Sequence, residues 1–282
     1  MFSYFSQNNN LSHVDMPHIE SISSCDTYGV LVDSASLLRH KDAETKQEAL
    51  TLNLEELKVL KSCILLWNTD LTLLRLKKRS IDKLLKQCTI IASNEYIRSL
   101  LQVFYPPPIY ILRMPIIDIP YGKKKDNLIV ASGTVGFVNG TDVTIELFKS
   151  LPKDIHKVYI GHSNLLEDTY LEGQLKNECD WYPDVADKMF ADIMARSKYY
   201  IHTDKTDVNA SFFIKFALSG SYIFAPKKLT LFDEYDYVKR FNSVDHCVDL
   251  IAESNVGNKH IVDKDKYSVD VFHKNLQKII WR

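Results

Sequence analysis

Two α/β lobes, each a mostly parallel sheet wrapped in helices, are what this sequence predicts. Short apolar runs alternate with stretches that carry apolar residues at helical spacing, the signature of successive βαβ units. The alternation holds from about residue 28 to residue 114, breaks over "PIIDIPYGKKKDN" (115–127), and then begins again. The break has two prolines, a glycine and a charge run but no periodicity, so residues 118–127 read as a linker. The lobes are then 1–117 and 128–265, with a closing segment over 266–282.

In the first lobe, "YGVLVD" (28–33), "CILLWN" (63–68), "CTIIAS" (88–93) and "IYILRM" (109–114) are apolar enough for buried strands. Between them, "LNLEELKVLKS" and "LTLLRLKKRSIDKLLKQ" have helical spacing. A further helix over "SNEYIRSLLQVF" takes Ser93 as its N-cap and stops at "YPPP", where proline removes the backbone donor a helix needs. Part of the first 25 residues is expected to be disordered.

In the second lobe the strands are "LIVASG", "KVYIGHS", "ECDWY", "YYIHTD" and "SYIFAP". The helices are 141–151, a short one near 165–175, 186–197 and 209–219, and "YSVDVFHKNLQKIIWR" ends the chain as an amphipathic helix. Two doubly wound lobes are expected to hold a ligand in a cleft between the carboxyl ends of their sheets.

Composition is that of a globular chain: 45% hydrophobic, 25% charged, with no run of eighteen apolar residues. The start has no basic segment leading into an apolar core, so it does not read as a signal peptide. Five scattered cysteines without a CxxC pair favour reduced thiols and a cytoplasmic location, a host's cytoplasm if the protein is viral. A net charge of −1 leaves any nucleic-acid contact to local patches. Lys77, Lys78 and Arg79 form one candidate, and Lys123, Lys124 and Lys125 the other. Runs this short are more often plain solvated surface. Among enzyme motifs, Gly-x-Ser-x-Gly, the P-loop and Gly-x-Gly-x-x-Gly are all missing from the sequence.

The stretch "LIVASGTVGFVNGTDVTIELFKSLP" (128–152) carries the most chemistry. A strand, a glycine-bearing loop and a helix together present backbone N–H groups to a phosphate. Gly133, Thr134, Asn139 and Gly140 are the loop positions for such a contact, although any βα loop also needs a glycine and a polar cap. The loop has no Lys or Arg. Lys205 and Lys215, beyond the strand "YYIHTD", could supply charge from the other side, with Asn209 and Ser211 bonding phosphate or ribose oxygens.

With both lobes laid out, the chain resembles the GT-B glycosyltransferases, which transfer sugars from nucleotide donors held between two Rossmann-like lobes. The matching stretches are "CTIIASNEYIRSLLQVFYPPPIYILRMPIID", "SGTVGFVNGTDVTIELFKSLP", "VYIGHSN" and "YYIHTDKTDVNASFFIKFALSGSYIFAP". Within that superfamily, "ILLWNTDLTLL" and the spacing from Gly133 to Ile145-Glu146 are similar to the phage DNA β-glucosyltransferases. The resemblance implies transfer of a hexose, glucose above all, from a UDP-sugar without metal or further cofactor. The acceptor hydroxyl it implies lies on hydroxymethylated DNA bases of a phage; a glycan or a small molecule is the alternative. The family commonly has basic residues in the loop after the first donor-lobe strand, and this loop lacks them. The family's ribose-binding carboxylate falls on Lys215, which cannot accept a hydrogen bond, and an earlier acidic position falls near Asp207. These departures support a second reading, a GT-B-like module without catalysis that binds nucleotide, nucleic acid or a protein.

Asp70, after the strand 63–68, could act as the base that deprotonates an acceptor, or it could cap the helix that follows. Asp33, closing the strand 28–33, is the fallback base. His162, at the end of "YIGH", could reach donor sugar or phosphate, although a lone His is more often structural. Tyr182, in "DWYPDV", lies where the family's base-binding loop would be; an aromatic pair before proline is as often core plus turn.

Overall fold

The computed structural model describes residues 2–6, 11–14, 27–33, 42–45, 48–49, 51–52, 62–67, 88–104, 108–113, 115–116, 119, 125–137, 139–163, 169–204, 211–254 and 262–280. The chain forms two compact units. One is Met1–Arg113 with Asn275–Arg282, the other Met114–Lys274.

The first unit is built on strands β1 (Phe2–Ser6), β2 (Leu11–Val14), β3 (Thr27–Asp33), β4 (Ser62–Trp67), β5 (Cys88–Ala92) and β6 (Tyr110–Ile111), in the order β2-β1-β3-β4-β5-β6. The β3-to-β6 portion is parallel, as apolar runs joined by crossovers require. Strands β1 and β2 pair antiparallel and β1 runs antiparallel to β3, so Phe2–Ser6 and Leu11–Val14 are strands within the first 25 residues. Helix α1 (Glu95–Phe104) buries Ile97 and Leu101 against β5 and β6. Its cap is Asn94, one residue past the predicted Ser93: Asn94 Oδ1 accepts the Ile97 N–H at 2.8 Å. The predicted strand 109–114 narrows to β6 at the sheet edge; the Leu112 N–H adds one more bond, to the Ala92 carbonyl.

The second unit alternates strand and helix: β7 (Leu128–Ser132), α2 (Thr141–Ser150), β8 (His156–Ile160), α3 (Thr169–Glu178), β9 (Asp180–Tyr182), α4 (Asp187–Arg196), β10 (Tyr199–Ile201), α5 (Ser211–Leu218) and β11 (Tyr222–Pro226). It continues through β12 (Val238–Phe241), α6 (Val244–Ser254) and α7 (Val269–Ile280), whose residues from Asn275 group with the first unit. Its sheet is parallel throughout, in the order β12-β11-β10-β7-β8-β9. The two central strands are covered on both faces, which is why "LIVA" and "YYI" are apolar without alternation. Ile129, Ala131, Tyr199, Ile201 and Phe224 pack with Leu147 and Phe148 of α2 in one core. Tyr200 stacks on Phe216 of α5 at 4.3 Å between ring centroids.

The pair β12 and α6 is absent from the sequence reading. Only four residues long, β12 has the half-buried Lys239 and Arg240 at its centre, as an edge strand tolerates. No helix among the described residues is long and apolar enough to cross a membrane.

Strand order in the second sheet reverses between β7 and β10. From β7 the chain steps outward through β8 to β9, and from β10 it steps the other way through β11 to β12. Ligands of open parallel sheets sit at the carboxyl ends of the strands flanking such a reversal.

Candidate functional site

At that reversal β7 ends in Ser132, and the chain enters the glycine loop. The loop lies on the carboxyl ends of β8 and β10. The Gly133 N–H donates to the Ile160 carbonyl at 3.1 Å and the Val135 N–H to the His162 carbonyl at 3.0 Å. Gly161 follows β8 with φ 150°, and a Cβ there would overlap the Gly133 carbonyl. Gly140 takes φ 76° immediately before α2, and a Cβ there would overlap the Thr203 carbonyl. Glycine is needed at both positions because backbone meets backbone.

Most of the loop's amides are spent inside the protein. Asn139 and Thr141 donate to the Gly136 carbonyl, Gly140 donates to the Phe137 carbonyl, and the Gly136 N–H donates to Thr141 Oγ1 at 3.0 Å. The predicted use of the Gly133 amide as a phosphate donor is therefore corrected: strand β8 already takes it. Thr134 is different. It is half-exposed, and no described group accepts from its N–H. The first turn of α2 carries Asp142, whose Oδ1 is buried without a hydrogen-bond partner among the described residues. An acidic side chain in the first turn competes with an anionic ligand for the favourable dipole of that helix end.

Below the loop lies a polar cluster that the sequence reading missed. Tyr159, on β8, donates its hydroxyl to the Gly133 carbonyl at 3.2 Å and lies 3.2 Å from Thr141 Oγ1. Burial pushes the Tyr159 hydroxyl up to about 12, with the Thr141 bond opposing and the Asp204 carboxylate adding, so it remains a proton donor. Thr144 and Thr203 share a hydrogen bond of 2.7 Å. Asp204, just beyond β10, is 7% exposed, and its Oδ2 would stand 3.2 Å from a Cβ on Gly133. Strand pairing could have found the cluster, because the register sets Tyr159 opposite Ala131 at the end of β7.

His202 is fully buried beside it. Its Nε2 approaches the Asp204 carbonyl at 3.1 Å, while Nδ1 has no partner among the described residues. Burial lowers its pKa to about 4 against the pull of Asp204, so the ring is neutral at ordinary pH.

The other predicted residues divide sharply. His162 is exposed at the turn after β8, and its carbonyl holds Val135. Tyr182 ends β9 half-buried, and its carbonyl takes the Gly161 N–H at 3.0 Å. The neighbouring Trp181 spends its indole N–H on the Gly161 carbonyl at 2.8 Å, with Lys176 Nζ 5.1 Å from its ring centroid. Asn139 is half-buried in the loop, and Lys215 is half-buried on α5. Ser211 opens α5, and Asp33 closes β3 opposite Leu66. Asp70, Lys205, Asp207 and Asn209 lie outside the described residues, as do Lys77, Lys78, Arg79, Lys123 and Lys124.

Lys125 is not a loose surface cation. Its ammonium donates to the Met194 carbonyl at 3.2 Å, to Ser219 Oγ at 3.3 Å and to Ser221 Oγ at 3.5 Å. A cavity of about 380 Å³ lies apart from the predicted donor residues, between the start of α2 and the ends of β11 and β12; its lining includes Val143, Glu146, Lys227, Lys228 and Phe241.

No protein-family model matches the sequence, and no curated protein matches it. Solved structures do match in fold. Anabaena Alr3699/HepE in complex with UDP is 11% identical with a TM-score of 0.69, over 93% of this chain and 80% of that one. WaaG, a glycosyltransferase involved in lipopolysaccharide biosynthesis, is 12% identical with a TM-score of 0.57, over 85% and 79%. An α-glucosyltransferase (AGT) in complex with UDP is 11% identical with a TM-score of 0.57, over 93% and 79%. The chain thus has the α/β fold of the GT-B glycosyltransferases.

Proposed function

We propose that the protein is a glycosyltransferase that takes a hexose, glucose first among them, from a UDP-sugar bound on its second unit. The observation that carries this reading is the glycine loop at the strand-order reversal of a parallel sheet, where a nucleotide diphosphate sits in folds of this kind. Solved proteins of the same fold, HepE and AGT, hold UDP, and HepE is also solved with UDP-glucose. Thr134, half-exposed and with an N–H that no described group accepts, is the loop residue that would meet the phosphates. The acceptor in this reading is a hydroxymethylated base of phage DNA, with a glycan or a small molecule as the other classes. Asp70 would serve as the base and Asp33 as its substitute. Lys205, Asp207, Asn209, Ser211 and Lys215 would form the donor's other wall, with Tyr182 and His162 at its base and sugar ends.

A second reading, a module that binds without catalysis, is favoured by the consumed amides of Gly133, Gly136 and Gly140 and by Lys215 in place of a ribose-binding carboxylate.

The test is thermal unfolding with millimolar UDP, GDP, CMP and their sugar conjugates, followed by donor hydrolysis and by transfer to hydroxymethylated DNA. A ligand at a hundred times its Kd stabilises by about 2.7 kcal/mol, which moves the midpoint by several degrees. A shift confined to uridine nucleotides, with sugar released from UDP-glucose, supports the transferase. A shift without sugar release favours the module, and no shift with any nucleotide sinks the donor site.

A further inference from the structure

We propose that Tyr159, held by Thr141, is a positioning residue of this site, which, through the Gly133 carbonyl, turns the Thr134 amide toward the phosphates of a bound nucleotide. The inference rests on the donor-site reading above and adds the device that makes a cation-free loop competent.

The hydrogen bonds run in one direction. The Gly136 N–H donates to Thr141 Oγ1 at 3.0 Å, which requires the Thr141 proton to point elsewhere. Tyr159 gives its only proton to the Gly133 carbonyl, so the 3.2 Å contact between the two hydroxyls has Thr141 as donor. Gly136 N–H, Thr141 hydroxyl, Tyr159 hydroxyl and Gly133 carbonyl thus form a chain in which each bond polarises the next. The chain pins both ends of the segment from Gly133 to Gly136, and the Val135 N–H pins its middle through the His162 carbonyl.

The consequence follows from peptide planarity. In a trans peptide the carbonyl of one residue and the N–H of the next point in opposite directions. Tyr159 draws the Gly133 carbonyl inward, where it lies against the backbone of Gly161. The Thr134 N–H must then face outward, the direction in which no described group takes it. An amide fixed before the ligand arrives needs no reorganisation to bind an anion, which is how a loop without Lys or Arg can still hold one.

The readout is the affinity for UDP against that for uridine, measured by calorimetry on the full chain and on Tyr159→Phe, Thr141→Val and Thr141→Ser. Tyr159→Phe and Thr141→Val should each weaken UDP about tenfold or more. Together they should do no more than either alone, because one break opens the chain. Uridine, which lacks phosphates, should bind all variants equally, and Thr141→Ser, which keeps the hydroxyl, should bind UDP as the parent does. Unchanged UDP affinity in both breaking variants overturns the inference, and so does an equal loss for uridine, which would mark a merely structural effect. A parent protein that binds neither ligand removes the donor-site reading and the inference with it, whereas UDP binding unaffected by the variants removes only the inference.

Discussion

The carbonyl oxygen of Gly133 occupies the space where Gly161 would carry its Cβ. Two successive strands are thus followed by glycines whose backbones touch, and the loop that follows β7 rests directly on the turn that follows β8. Because the obstacle is backbone, no rotamer change can relieve a side chain here. Gly161→Ala should destabilise the protein by about 3 kcal/mol or more, combining a φ of 150° that L residues rarely adopt with the overlap. Urea unfolding should show it as a lowered midpoint at unchanged slope. A variant as stable as the parent would mean that the two turns do not meet.

Stability should also fall as the solution is acidified, through His202. Its pKa in the folded state is lowered to about 4 from an ordinary value of 6.5, because burial opposes the charged ring more than Asp204 favours it. A depressed folded pKa means that the unfolded chain binds the extra proton first. The contribution is therefore complete above pH 6.5 and is lost progressively as the pH falls toward 4. Linkage places it at about 3 kcal/mol at most. Chemical denaturation at steps between pH 7.5 and pH 4 should give a slope that His202→Asn flattens. An identical slope in that variant would assign the acid sensitivity to other groups.

How much of this could be read from the sequence depends on how local each feature is. Strands β7, β10 and β11, and the "VYI" end of β8, were legible because a parallel strand covered on both faces has to be apolar, and a run such as "LIVA" has few other uses. Strand β12 was not, since an edge position lets Lys239 and Arg240 interrupt its pattern. Helix α6 was within reach: Val244, Cys247, Val248 and Ile251 have helical spacing, and the Ser243 hydroxyl accepts the His246 N–H as a cap. The loop's position was legible as well, but the partners of its amides were not. They depend on strand register, which brings Tyr159 under Gly133 from 26 residues away. The role of Lys125 was hidden for the same reason, its acceptors being 69 to 96 residues distant.

That lysine gives a clean discrimination between surface and scaffold. Lys125 ties the carboxyl end of α4, through the Met194 carbonyl, to the turn after α5, through Ser219 and Ser221. Lys125→Met keeps the aliphatic stem but removes the ammonium from three acceptors, of which those of Met194 and Ser221 belong to buried residues. The expected loss is about 1–2 kcal/mol of stability, with no change in the retention of double-stranded DNA in a gel-shift assay at low salt. Weakened retention with stability intact would return Lys125 to the phosphate-contacting role that its charge run first suggested.

Lys215 offers the converse experiment, a gain. Helix α5 turns Phe213, Phe216 and Ala217 into the core, and Lys215 is left half-buried at the position where the GT-B resemblance expects a carboxylate that accepts from the ribose hydroxyls. A lysine can only donate, so a ribose diol there would lose its charge-assisted acceptor. Lys215→Glu restores that acceptor without altering the buried face of the helix. If the second unit binds a nucleotide in the orientation the fold suggests, the variant should bind uridine and UDP about tenfold more tightly, since a hydrogen bond to a charged group contributes about 1.5–3 kcal/mol. The gain should appear with uridine alone, which separates it from any effect on the phosphates. Weaker binding of UDP with uridine unchanged would instead make Lys215 the cation that neutralises the diphosphate, supplied from the helix because the loop has none.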